Sequence, residues 1–147
     1  MRRSKPATLI FLLDTNLFIS AIKDPRRQTG TLRLILHIIG EPGIDLVGND
    51  LLVEEMARYA ELLRSETAAT LLHALIAKIE IVKVQENYLK ICKSYIETLD
   101  KADVLHAATC LQTNTVLISN DHHFNRIRDE GIIKVWSTTE AIKKLLI

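Results

Sequence analysis

Four acidic side chains carry the chemistry legible in this chain: Asp14, Glu55, Asp103 and Asp121, each beside an apolar run that reads as a strand or a helix. Carboxylates are hard oxygen donors suited to Mg²⁺ or Mn²⁺. No set of closely spaced cysteines and histidines favours zinc instead. Gathered in one fold, the four acids would make a site for divalent metal, provided that the elements bearing them converge.

Asp14 follows Leu9-Ile10-Phe11-Leu12-Leu13, a run expected of a strand buried on both faces of a parallel sheet. Asp14-Thr15-Asn16 then supplies helix-starting residues before Leu17, Phe18, Ala21 and Ile22 resume at helical spacing. Asp14 is thereby placed at the carboxyl edge of the first strand, the edge at which open α/β sheets bind ligands. Asp121 repeats the arrangement. Thr115-Val116-Leu117-Ile118 reads as a strand, and Ser119-Asn120-Asp121 follows it, ahead of a short helix through Phe124, Ile127 and Arg128. Each of these two acids also suits a plain helix cap.

Glu55 comes from a helix, and periodicity separates it from its neighbour. Leu52, Met56, Tyr59 and Leu63 share one face; at about 100° per residue Glu55 borders that stripe and Glu54 points nearly opposite. Glu55 is the inward acid, and Glu54 replaces it only if the helix is rotated. A lone glutamate at such a margin also reads as a boundary residue. In Asp100-Lys101-Ala102-Asp103-Val104-Leu105-His106-Ala107-Ala108, Asp100 suits an N-cap and Asp103 falls third in the helix. An acid there satisfies first-turn amides and the helix dipole, and it also lies toward the sheet edge.

Strand-like runs at Leu9 to Leu13, Ile44 to Val47, Ile79 to Val84, Thr115 to Ile118 and Ile132 to Trp136 alternate with helical patterns. The helices are expected at Thr15 to Ile22, Thr31 to Ile39, Leu51 to Leu63, Glu66 to Ala77, Glu86 to Thr98, Lys101 to Thr113 and Thr139 to Leu146. The fold class is α/β with a mainly parallel sheet. Asp24-Pro25 and Glu41-Pro42-Gly43 read as turns and Gly40 as a helix terminator.

At 147 residues with 48% hydrophobic content, the chain fits one domain with a contiguous core. Nineteen basic residues against 18 acidic ones give a formal net charge of +1, which excludes the broad basic surface of a tight nucleic-acid binder. Polyanion contacts are therefore local, with Arg2, Arg3, Lys5, Arg26, Arg27 and Arg33 as candidates, although such clusters are often ordinary solvated surface. Cys92 and Cys110 lie among apolar neighbours in expected helices and read as buried free thiols, in keeping with a cytoplasmic location. The first apolar run is too short for a signal peptide, and no segment approaches membrane-spanning length.

Leu13-Asp14-Thr15-Asn16, Glu55-Met56, Asp103-Val104-Leu105-His106-Ala107-Ala108 and Ile118-Ser119-Asn120-Asp121 together resemble the motifs of the PIN-domain family, over a stretch from Leu9 to near Phe124. The resemblance implies a single PIN-like domain over 1–147, with a central parallel sheet flanked by helices in three layers. It further implies a Mg²⁺- or Mn²⁺-dependent endoribonuclease. Asp14, Glu55, Asp103 and Asp121 would be its metal-binding and catalytic residues, with Asn16 and Ser119 as polar support and Asp100 near enough to Asp103 to assist it. Small prokaryotic members include toxins of VapC-type toxin–antitoxin pairs, so RNA is the expected substrate, and an antitoxin protein and a second copy of the chain are candidate partners. In such sites the metal activates a water for in-line attack on phosphorus, and a second ion, typically about 4 Å away, stabilises the leaving oxygen. Ser119 or Asn16 would hold the water or a ligand carboxylate. His106, His122 and His123 read as structural and stay outside the catalytic set.

Other phosphate-handling folds fit less well. Asp14-Thr15-Asn16 superficially resembles the haloacid-dehalogenase-like hydrolases, but those need an Asp two positions after the first as general acid, and the Asn16 amide cannot donate a proton in that role. A receiver-type module needs its phosphoacceptor after the third strand, where Val84-Gln85-Glu86 offers no Asp. The remaining alternative to an enzyme is a non-catalytic PIN-like module that binds RNA or protein.

Overall fold

The computed structural model of the chain describes residues 9–23, 29–97 and 100–147. In chain order these form β1 (Leu9–Leu13), α1 (Thr15–Lys23), α2 (Gly30–Gly40), β2 (Ile44–Gly48), α3 (Asp50–Leu63), α4 (Glu66–Lys78), β3 (Ile79–Ile81), α5 (Glu86–Lys93), α6 (Lys101–Thr113), β4 (Val116–Ile118), a 3₁₀ turn (His122–Phe124), α7 (Asn125–Asp129), β5 (Val135–Trp136) and α8 (Thr138–Leu145). Arg2, Arg3, Lys5, Arg26, Arg27 and the Asp24-Pro25 turn lie outside the described residues.

The sheet order is β3-β2-β1-β4-β5, and every pair is parallel. The chain begins in the central strand, steps outward through β2 to β3, then returns to the other side of β1 for β4 and β5. β1 and β4 therefore flank the switch point at which strand order reverses. Connections leave those two strands in opposite directions, which opens a crevice at their carboxyl ends.

Successive strand residues point to opposite faces, yet Phe11, Leu12 and Leu13 are all buried, so helices cover both sides of β1. α6 packs on β1, β2 and β4, and α2 packs on β2. Gly48 ends β2 where only a hydrogen fits: a Cβ there would lie 2.9 Å from Leu52 Cδ2 and 3.0 Å from Ile79 Cγ2. That close approach brings the start of α3 down onto the sheet edge. At the far end, Lys78 Nζ donates to the carbonyls of Ile38, Ile39 and Glu41 and satisfies the closing turn of α2.

Several elements are shorter than their sequence patterns predict. Ile79 to Val84 reads as one strand, but β3 stops at Ile81, whose register partner is Gly48. β2 cannot extend beyond that point because Asn49 turns the chain into α3. Likewise β5 begins only at Val135, since Ile132 N–H caps α7 through Ile127 O and Gly131 takes a φ of 74° to make the turn. α5 ends at Lys93, where Ser94 N–H bonds Ile91 O and Tyr95 N–H bonds Cys92 O in tighter turns. Thr98, the expected end of that helix, lies outside the described residues.

Candidate metal centre

Asp14 sits immediately after β1, and its backbone serves both neighbours. Its N–H donates to Ile118 O at 3.1 Å, tying β1 to β4, and its C=O accepts from Leu17 N–H at 2.9 Å, starting α1. The carboxylate is left to other partners. Ser119, just past β4, donates its hydroxyl to Asp14 Oδ2 at 2.6 Å and accepts the Asp121 N–H at 3.0 Å. Burial to 5% exposure pushes the Asp14 carboxyl above the ordinary carboxylate range, against the pull of the Ser119 bond.

Asp121 caps the following turn, accepting the His123 N–H on Oδ1 at 2.9 Å. The capping role and membership of the cleft coexist. Asp103 lies in the first turn of α6, behind the N-cap Asp100, whose Oδ1 accepts Ala102 N–H at 2.9 Å. It is 6% exposed, and burial, reinforced by repulsion from Asp121, Asp100 and Asp14, raises its pKa despite a bond from His123 Nδ1 to Oδ2 at 2.8 Å.

Glu55 arrives from α3. Asn49 caps that helix by accepting Leu52 N–H at 2.8 Å, a bond of the kind worth about 1 kcal/mol, and so fixes which face turns inward. Glu55 Oε1 accepts Thr15 Oγ1 at 3.1 Å and faces His106 Nε2 at 3.2 Å. The His106 bond is the largest of the influences that lower its pKa. Glu54 is exposed on the outer face, as the periodicity predicts.

All four acids line one cleft of about 130 Å³, together with Thr15, Asn16, Tyr59, Asp100, Ala102 and His106. Asn16 is exposed at this cleft and also lines an adjoining hollow with Asn120 and Thr138. Ser119 stands behind Asp14 rather than in the lining. His106 and His123, which the sequence places outside the site, contact its acids; His122 is 83% exposed. Helical spacing could have found His106, one turn after Asp103 on the same face. The contact of His123 depends on the 3₁₀ turn and carries no periodic signal.

The donor set fits a hard divalent cation. Among the described residues, the side-chain donors to three of the acids each meet one oxygen, Oδ2 of Asp14, Oε1 of Glu55 and Oδ2 of Asp103, while Asp121 Oδ1 faces His123 Nδ1 at 3.3 Å and the Asn16 backbone also bonds the Asp14 carboxylate. That tethering leaves ligating capacity at each group. Among the described residues, the group whose ligand atoms all lie within 4.8 Å of one another is Asp121, His122 and His123 rather than any three of the four acids. Cys92 and Cys110 are buried free thiols; burial pushes Cys92 up to about 11 and Cys110 higher still.

No curated protein matches the chain significantly. Similar solved structures include VapBC2 from Rickettsia felis bound to a DNA fragment from its promoter, with a TM-score of 0.63 at 16% identity over 88% of this chain and 98% of that one. VapBC-1 from nontypeable Haemophilus influenzae gives 0.60 at 21% identity, covering 89% and 99%. FitAcB from Neisseria gonorrhoeae gives 0.56 at 18%, covering 88% and 98%. At these identities the likeness establishes the fold. The family follows from the sequence itself: the PIN-domain model matches residues 11–130, a span that contains every acid of the cleft, and the chain belongs to the PIN-domain family.

Proposed function

We propose that the protein is a Mg²⁺- or Mn²⁺-dependent endoribonuclease and the toxin of a toxin–antitoxin pair. The observation that carries the reading is the convergence of Asp14, Glu55, Asp103 and Asp121, from separate elements, on one cleft at the switch point of the sheet. Asp14, Glu55, Asp103 and Asp121 would hold the metal. When bound, the ion would neutralise the acids, admit a phosphodiester and supply Lewis-acid stabilisation of charge at phosphorus.

The chain's own residues do the rest. Ser119 holds Asp14 and the Asp121 backbone in one frame, Thr15 and His106 hold Glu55, and Asp100 starts the helix that presents Asp103. Asn16, exposed at the cleft, offers an amide donor to a phosphate oxygen or an attacking water. A net charge of +1 supplies little general attraction for RNA, so binding rests on the cleft and on local arginines.

The similarity in fold to VapBC and FitAB assemblies supports an antitoxin as the protein partner, and a second copy of the chain is a further candidate. Among the described residues no helix is long and apolar enough to cross a membrane. Free buried thiols support placement in the cytoplasm.

The test is incubation of purified protein with mixed RNA and Mn²⁺ or Mg²⁺, with EDTA and Asp14→Asn as controls. Cleavage that both controls abolish supports the reading. RNA or antitoxin binding without cleavage, unchanged in Asp14→Asn, favours the non-catalytic module.

A further inference from the structure

Beneath Glu55 lies a buried polar chain whose donor and acceptor roles can be assigned without ambiguity. Asn49 Oδ1 accepts the Leu52 backbone N–H at 2.8 Å, so the oxygen of that amide is committed and Nδ2 faces the other way. Nδ2 carries two hydrogens and no lone pair to offer. One goes to Thr109 Oγ1 at 3.0 Å, whose own hydrogen goes to Leu105 O at 2.8 Å. The other meets His106 Nδ1 at 3.2 Å, which must therefore accept. The ring proton then belongs on Nε2, which faces Glu55 Oε1 at 3.2 Å.

We propose that His106 is a positioning residue for Glu55: locked by Asn49 as the Nε2–H tautomer, it holds Oε1 in place and leaves Oε2 for a ligand in the cleft. The proposal rests on the reading of Glu55 as a metal ligand. Several observations carry it. His106 is 1% exposed, so water has little room to compete for the ring. Asn49 is 3% exposed and Thr109 fully buried, so the chain that fixes the ring is shielded too. Thr15 Oγ1 also donates to Oε1, so both donors converge on one oxygen, and among the described residues Oε2 takes neither. A histidine retained only to fill the core would need no such directional chain, and an apolar side chain would serve there without the cost of burying polar atoms.

The experiment combines a tautomer measurement with metal affinity, using the full chain. Long-range proton–nitrogen NMR on the metal-free protein, with His106→Gln identifying the signal, should show the Nε2–H form; an Nδ1–H form overturns the proposal with no metal involved. Calorimetric titration with Mn²⁺ should show His106→Leu weakened about tenfold or more, the loss typical when a ligand's supporting partner is removed. His106→Gln keeps an amide N–H for Oε1 and should recover most of that affinity. If it is as weak as His106→Leu, the donor is irrelevant and the proposal fails. Asn49→Ser retains a good helix cap and an intact His106 while removing the Nδ2 donor, so it should give mixed tautomers and intermediate affinity, even if His106→Leu does not fold.

Glu55→Gln separates the two levels. Unchanged Mn²⁺ affinity in His106→Leu beside a loss in Glu55→Gln overturns the positioning role and leaves the metal reading standing. Unchanged affinity in Glu55→Gln overturns the metal role of Glu55, and the proposal with it.

Discussion

Ser119 and Asp14, 105 positions apart in sequence, meet through a 2.6 Å hydrogen bond, and the same serine oxygen accepts the backbone N–H of Asp121 at 3.0 Å. One hydroxyl thus sets the spacing of two acids that leave different strands. It can do so because β1 and β4 are adjacent and in register, Leu13 opposite Ile118, so the residues just beyond them emerge side by side.

Removing that hydroxyl should loosen the site without unfolding the sheet. Ser119→Ala deletes the donor to Asp14 and the acceptor for Asp121, and a net hydrogen bond is worth about 1 kcal/mol, more when one partner is charged. The expected result is Mn²⁺ affinity reduced about tenfold with an unchanged circular-dichroism spectrum. Affinity equal to wild type in calorimetry would remove Ser119 from the support of the site.

The two adjacent glutamates of α3 should separate cleanly. Glu55 lines the cleft whereas Glu54 is exposed on the opposite face. Glu55→Gln should abolish nearly all metal-dependent RNA cleavage, and Glu54→Gln should be close to silent, since surface substitutions typically shift stability by no more than about 0.5 kcal/mol. A cleavage assay showing the reverse pattern would mean that α3 presents another face in the active protein.

The acids were legible in sequence for a physical reason. An unbroken apolar run such as Leu9 to Leu13 has to be a buried strand, and whatever polar residue follows it has to stand at the sheet's edge. Glu55 was legible because helical periodicity is a strong signal over 14 residues. The ends of β3 and β5 were not, because a strand's length depends on how far its neighbour runs. Val82 N–H still reaches Gly48 O, but Lys83 and Val84 would need a partner beyond Gly48, and there Asn49 has already turned the chain. The histidine contacts escaped for a similar reason. Nothing local in Asp121-His122-His123 says that the second imidazole folds back to Asp103, a contact made only once α6 is in place.

That imidazole should matter most in the absence of metal. His123 Nδ1 bonds Asp103, and this bond, with the charges of Asp121 and Asp103, raises its pKa above the ordinary 6.5. A raised folded-state pKa means that the stabilisation is fully present below the unfolded value and is lost as pH rises through the folded one. In EDTA, wild type should therefore melt above His123→Ala at pH 6, and the gap should close toward alkaline pH. A gap that is constant with pH would assign the effect to packing instead.

Asp14 and Asp103 give the opposite kind of strain, and its relief can be measured. Burial raises both carboxyls above the ordinary 3.8, so ionising them opposes folding. The folded form holds its protons more readily than the unfolded one; relative stability is greatest below the unfolded pKa and declines as pH rises through the folded values. As pH rises in EDTA the protein carries more of this penalty, and Asp14→Asn, which removes one charge but keeps an oxygen for Ser119, should melt higher than wild type at neutral pH. The difference should shrink as pH falls toward the ordinary carboxylate range, where Glu55, with its lowered pKa, begins to lose its own contribution in the opposite sense. Metal should relieve the same strain at neutral pH. A cation that binds only the native state stabilises by about 2.7 kcal/mol at one hundred times its Kd, so wild-type melting should climb with Mn²⁺ concentration and overtake Asp14→Asn, which has lost a ligand charge. Thermal melts of both proteins across pH and Mn²⁺ concentration decide the point: equal melting in EDTA together with a flat metal response in wild type would show that the four acids do not act as one charged site.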